Sequence, residues 1–211
     1  QEVNNSFFRS VDFAWYQMLA QKGYIIVCVD NRGTAGKGDA FKKVVYKQMG
    51  KYESEDQIAA ANYLKTLPYI DGNRIGIWGW SFGGYLSSLS IMKSENVFKM
   101  AMAVAPVTTW RYYDNIYTER FLQTPQENSS GYDENSPITY AANLKGSYLL
   151  VHGMVDDNVH FQNAVDLVTA LNEAGIQYEQ FFYPNKNHFI VGGYTRLHLY
   201  IKLTDFILKN L

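Results

Sequence analysis

Apolar and amphipathic runs alternate along the chain, and their two periods predict its elements. Val11 to Gln21 places Ala14, Trp15, Met18 and Leu19 on one side at helical spacing, with Gly23 just past its end. The β-branched run Tyr24 to Val29 predicts a strand. Glu53 to Leu67 predicts a helix, with acidic residues in the first turn, where the dipole favours them, and Pro68 beyond its end. Arg74 to Trp78 predicts a short buried strand and Tyr85 to Lys93 a helix. Further strands are predicted at Lys99 to Val104, Tyr148 to Val151 and Tyr178 to Tyr183. Helices are predicted at Phe161 to Ala174 and Thr195 to Lys209. Strands separated by helices imply a parallel sheet with helices on both faces. Ligands of such sheets gather at the carboxyl ends of the strands. The stretch from Pro106 to Asn143 is too long for an ordinary connection. It carries Trp110, Tyr112, Tyr113, Tyr117 and Phe121, so it is expected to pack over that edge as a small cap.

A chain of 211 residues is long enough for one domain with a sizeable core. Its net charge of -1, with 18% charged residues, offers no basic patch and argues against nucleic acid as a partner. No apolar run has the length of a membrane-spanning helix. The lone Cys28 has no internal disulfide partner and, inside its apolar run, reads as a packed thiol. The chain opens at Gln1 with neither Met nor a signal segment and reads as a piece of something longer. Asn4-Asn5-Ser6 and Asn128-Ser129-Ser130 match the glycosylation sequon, a pattern too short to fix a compartment.

Gly79-Trp80-Ser81-Phe82-Gly83 carries the chemistry. It fits the G-x-S-x-G nucleophile elbow and stands between a predicted strand and a predicted helix, the context that motif requires. A Cβ at either glycine is expected to clash where strand and helix approach. Ser81 is the candidate nucleophile. A serine hydroxyl needs a general base, and the base an orienting acid. In α/β-hydrolases the order along the chain is Ser, then Asp or Glu, then His.

Of the four histidines, His188 follows the last strand and fits that order. His152 precedes the candidate acids, His160 lies close behind them and His198 falls inside the last helix, so all three read as structural. Asp156 and Asp157 both follow the strand that ends at Val151, and spacing does not choose between them. The other aspartate is expected to face solvent or to cap the next helix. Gly33 to Gly38 is no P-loop, because Lys37 precedes Gly38. There is no H-E-x-x-H and no CxxC, so neither metal nor cofactor is called for.

Gly79-Trp80-Ser81-Phe82-Gly83-Gly84-Tyr85 resembles the elbow of the dipeptidyl peptidase IV branch of the prolyl oligopeptidase family. His152-Gly153-Met154-Val155-Asp156-Asp157-Asn158-Val159-His160 is similar to that branch's acid loop. Ala105-Pro106-Val107 and Trp110 to Arg120 resemble its substrate-pocket segment, and Asp30-Asn31-Arg32-Gly33 an earlier loop. The resemblance covers nearly the whole chain. It implies an α/β-hydrolase fold and a serine peptidase that releases dipeptides from N-termini with proline or alanine second.

By that resemblance Ser81 is the nucleophile, Asp156 the acid, His188 the base and the Phe82 backbone N–H an oxyanion donor. Asn158 touches a substrate carbonyl, and Val104, Val107, Trp110, Tyr113, Tyr117 and Val159 wall the pocket for the residue before the cleaved bond. Phe82 stands where relatives often carry Tyr, and Phe189 where they often carry Gly. The resemblance further implies a second oxyanion donor, a tyrosine, and an amine-clamping β-propeller, both upstream of Gln1. The fragment alone is accordingly expected to be nearly inactive. A homodimer and a periplasmic or extracellular site for the full-length protein also follow from the resemblance. Tripeptidyl or acylaminoacyl peptidases, an esterase, and a non-enzymatic interaction module on the same scaffold are the alternatives.

Overall fold

The computed structural model describes Val3 and residues 12–211. Four parallel strands form one sheet in sequence order: β1 (Gly76–Trp80), β2 (Met100–Val104), β3 (Ser147–Gly153) and β4 (Glu179–Tyr183). The helices are α1 (Phe13–Gln21), α2 (Asp39–Lys43), α3 (Lys51–Leu64), α4 (Phe82–Lys93), α5 (Asn115–Leu122), α6 (Ser129–Asp133), α7 (Gln162–Glu173) and α8 (Thr195–Asn210). Val11, the expected first residue of α1, and the sequon at Asn4 lie outside the described residues. This is the parallel, helix-covered sheet of an α/β-hydrolase fold.

Strand alternation divides the core in two. Met100, Met102 and Val104, with Leu149, Val151 and Tyr183, face α1 and α8 through Trp15, Leu19, Leu199, Leu203 and Phe206. Ala101, Ala103, Tyr148 and Leu150 face Ala61 of α3, Ile91 and Met92 of α4, and Leu167 and Leu171 of α7. The two central strands therefore need no solvent-facing side, and β2 is buried at every position.

Tyr24 to Val29 is not a strand. No ladder forms along it among the described residues, and Ile25, Val27 and Val29 are exposed. A cleft of about 730 Å³ is lined by this run and by β1, so β1 is an open edge. Apolar β-branched composition supplies the propensity, but strand propensity is mostly fit to a paired neighbour, and none lies among the described residues. For the same reason β1 is half-buried rather than buried. Cys28 is likewise half-buried on that cleft, and burial together with Asp30 raises its thiol pKa.

The cap consists of α5, α6 and two 3-10 segments, Trp110–Tyr112 and Pro137–Asn143. Asn128, of the second sequon, donates its side-chain amide to the carbonyls of Lys47 (2.9 Å) and Leu122 (2.8 Å), so its nitrogen is engaged in holding the cap.

The glycines of the elbow differ from expectation. A Cβ on Gly79 would come within 2.2 Å of the Gly83 backbone, whereas one on Gly83 meets nothing within 4 Å. Gly84 is the second tight position, 2.9 Å from the Val104 carbonyl oxygen. Gly79→Ala should therefore cost at least about 1–3 kcal/mol in urea unfolding. Gly83→Ala, inside α4, should leave stability unchanged or raise it by about 0.5–1 kcal/mol. Equal losses for both would show that the close approach is not at Gly79.

Candidate active site

The register of the sheet brings the candidate residues to one edge. Trp80 pairs with Val104 and Val104 with Val151, while β3 and β4 run two residues further to the Gly153–Tyr183 pair, so the carboxyl ends of all four strands lie at one edge of the sheet. The chain then leaves the edge under tension. Ser81 has φ 58 and ψ -117 and its N–H donates to the Val104 carbonyl at 2.8 Å. A left-handed serine between a strand and α4 is a strained turn held by its neighbours. It projects the side chain at the helix N-terminus. Phe82 N–H is the first amide of α4, without an intrahelical acceptor and at the positive end of the helix dipole.

Asp156 is the better placed of the two aspartates. It is buried, whereas Asp157 is exposed and caps nothing: α7 has no side-chain cap, and the N–H of Gln162 is taken instead by His160 Nδ1. Asp156 Oδ2 lies 2.8 Å from His188 Nδ1. A carboxylate only accepts, so Nδ1 carries the proton and His188 Nε2 is left as a lone pair. Asp156 Oδ1 accepts from the backbone N–H of Asn158 (2.9 Å) and of Val159 (2.8 Å). Burial alone would raise this carboxyl. Hydrogen bonds from His152 and His188 and from the Asn158 backbone outweigh it and hold the group well below the usual carboxylate range.

The histidine loop is held from two sides. Met154 N–H donates to the Tyr183 carbonyl (2.9 Å) and Val155 N–H to that of Lys186 (3.2 Å). From the other side the Trp80 indole N–H donates to the carbonyl of His188 itself, at 3.0 Å, and the Arg196 guanidinium lies 4.8 Å from the Trp80 ring centre. The residue before the candidate nucleophile thus grips the candidate base. In the sequence Trp80 stands only as one residue of the elbow motif. Its alternation with Gly79 put it on the α8 face, but which loop crosses there was not encoded nearby. His152, read as structural, also touches Asp156. Phe189 is exposed, with its ring 5.7 Å from that of His188.

Four of the apolar residues, Val107, Trp110, Tyr113 and Tyr117, pack with Val159 beside the elbow. Trp110 is buried, with its ring 5.7 Å from Phe82, 5.7 Å from Tyr113 and 5.9 Å from Tyr117. Val107 and Val159 belong to the same cluster. Val104 does not: its side chain lies in the core beneath α1 and α8, on the opposite face of the sheet, because β2 alternation turns it away. Tyr113 O–H donates to Asn158 Oδ1 at 2.8 Å, leaving the Asn158 NH₂ as the group free to donate.

Behind this wall lies Glu53, which is buried. Its Oε2 accepts from Gly50 N–H at 2.9 Å, and beside Gly50 the Tyr85 O–H donates to the carbonyl of Met49. Burial pushes the Glu53 carboxyl up to about 7, despite the hydrogen bond that favours its ionised form.

Residues 10–211 match the Prolyl oligopeptidase family. The chain is 43% identical to "Prolyl endopeptidase FAP" of Mus musculus, over 92% of this chain and 26% of that protein. It is 45% identical to "Probable dipeptidyl-aminopeptidase B" of Pyrenophora teres f. teres, over 96% of this chain and 22% of that one. The crystal structure of Porphyromonas gingivalis dipeptidyl peptidase 4 superposes with a TM-score of 0.92 at 49% identity, over 93% of this chain and 28% of that one. The chain thus spans about a quarter of the length of these relatives.

Glu53 gives a pH test of the packing behind the wall. Its folded pKa of about 7 exceeds the unfolded value, so the unfolded state ionises first as pH rises. Stability should fall between about pH 4.5 and pH 7 by about 3 kcal/mol and then level off. Glu53→Gln, which keeps the acceptor for Gly50, should flatten that decline in urea titrations at pH 5 and pH 8. An unchanged slope would show that Glu53 is not the group responsible.

Proposed function

The chain belongs to the prolyl oligopeptidase family, and from that footing we propose that it carries the catalytic machinery of a dipeptidyl peptidase IV-like serine peptidase. The observation that supports this reading most is the buried Asp156–His188 contact at the sheet edge where Ser81 turns into α4. His188 Nε2 takes the Ser81 hydroxyl proton as Oγ attacks the substrate carbonyl. Asp156 holds the ring in the right tautomer and stabilises the imidazolium that forms. Phe82 N–H receives the developing oxyanion. His188 then gives the proton to the leaving amine, and water, activated by the same ring, releases the acyl group. Asp156 and His188 are in contact, and among the described residues no hydrogen bond joins Ser81 to His188; on this reading that bond forms as substrate binds, since catalytic hydrogen bonds tighten in the substrate complex.

The rings of Trp110, Tyr113 and Tyr117 pack with Val107 and Val159 into one apolar cluster beside the elbow, a surface chemically suited to a proline ring or an alanine methyl. Asn158 NH₂ donates to a carbonyl of the bound peptide, with its amide set by Tyr113. The relatives' names divide between dipeptidyl and endopeptidase cleavage, so the requirement for a free N-terminus is the point to test.

In the full-length protein, Gly-Pro-p-nitroanilide should be cleaved faster than its N-acetylated form or a tripeptidyl analogue. Ser81→Ala should lower kcat by about 10⁴ or more. Preference for the blocked substrate would favour an endopeptidase, and full activity in Ser81→Ala would overturn the assignment. On the implication of the resemblance that a second oxyanion donor lies outside it, the 211-residue stretch expressed alone should be slower by about 10²–10³. Turnover equal to that of the full-length protein would show that this stretch needs no further donor.

Tyr113→Phe removes only the hydroxyl that sets Asn158. It should raise KM for Gly-Pro-p-nitroanilide several-fold with little change in kcat, a loss of about 1 kcal/mol of binding. An unchanged KM would remove Asn158 from substrate binding.

A further inference from the structure

Asp156 serves two histidines. His152 Nε2 lies 3.2 Å from Asp156 Oδ2, the same oxygen that holds His188, and 2.9 Å from the Val159 carbonyl. Both partners are acceptors, so Nε2 carries a proton and shares it between them. His152 Nδ1 is buried with no hydrogen-bond partner, so a proton there would be stranded. The ring is therefore fixed as the Nε2–H tautomer. It is fully buried, against the Phe161 ring at 5.6 Å. In such surroundings a phenylalanine or leucine would fill the space without leaving an orphaned nitrogen. What only the histidine offers is the Nε2–H at Asp156.

We propose that His152 is a positioning residue for the candidate triad, holding Asp156 Oδ2 on the line to His188 Nδ1 and drawing off part of its negative charge. Two consequences follow, both resting on the assignment of Ser81, Asp156 and His188 made above. The Val159 carbonyl and the carboxylate are tied through one proton, so the acid loop from Gly153 to Val159 closes on itself: Asp156 also accepts from Val159 N–H. Asp156 cannot rotate its Oδ2 away from His188 without breaking both. Second, a carboxylate oxygen shared with a second donor presents less negative charge to His188 than an unshared one would. The ionisable groups acting on Asp156 are His152 from β3 and His188 from the β4–α8 loop, through hydrogen bonds, while Tyr113 faces it from the cap.

The test uses the full-length protein and the rate at which a fluorophosphonate inactivates it, measured from pH 5 to pH 9. That rate needs the nucleophile and its base but no particular peptide specificity. His152→Phe should lower the plateau rate about tenfold and move the acidic limb of the profile upward by about half a unit. His152→Gln, whose side-chain N–H₂ reaches the position of Nε2, should restore both. His152→Asn, which is too short to do so, should behave like His152→Phe and makes the same comparison if the aromatic variant fails to fold. A purely space-filling role would lower the melting temperature without moving the limb. An unmoved limb in folded His152→Phe or His152→Asn would overturn the proposal, as would a His152→Gln profile that matches theirs. Fluorophosphonate inactivation unaffected by His188→Ala would instead overturn the triad assignment itself, so the two failures are distinguishable.

Discussion

The Asp156 carboxylate is the point around which the carboxyl edge of the sheet is organised. Two imidazoles and two backbone N–H groups converge on its two oxygens in a buried setting. Burial would drive the group toward its neutral form, and the hydrogen bonds from these donors outweigh it and keep the group ionised. Each donor brings a segment with it. His188 brings the loop between β4 and α8, His152 the end of β3, and Asn158 and Val159 the turn that leads into α7. Asn158 in turn meets Tyr113, so the cap is tied to the same carboxylate.

The parallel sheet makes this convergence possible. β2 and β3 pair in register from Met100–Ser147 to Val104–Val151 and are buried on both faces, which holds their carboxyl ends in place. Ser81 N–H on the Val104 carbonyl and Ala105 N–H on that of Val151 continue the ladder by one step beyond the strands. The left-handed conformation of Ser81 is tolerated because Gly79 lets α4 approach and Trp80 anchors the elbow to the histidine loop. Stability of the core and geometry of the site are thus one set of contacts.

Much of this was legible in the chain. Periodicity located α1, α4, α7, α8 and β2 to β4 to within a few residues, because each buries a face against a partner whose pattern is also in the sequence. Tyr24 to Val29 failed because a strand is defined by its neighbour and its own pattern says nothing of whether one is present. Order along the chain singled out Ser81 and His188. It could not separate Asp156 from Asp157, since only the turn at Gly153 decides which carboxylate points inward. The resemblance puts Val104 on the pocket wall, whereas the alternation of β2 turns it to the α1 and α8 face. His152 and Trp80 were undervalued for a different reason. Their contacts reach across loops whose path no local pattern specifies.

The central claim is that Ser81 is a nucleophile activated by His188. Its most direct measurement is the mass of the full-length protein after reaction with a biotinylated fluorophosphonate, with the adduct mapped by peptide sequencing. The account predicts one phosphonyl group on the peptide containing Ser81, and none when His188 is replaced by alanine. An adduct on another serine, or undiminished labelling of Ser81 without His188, would contradict it.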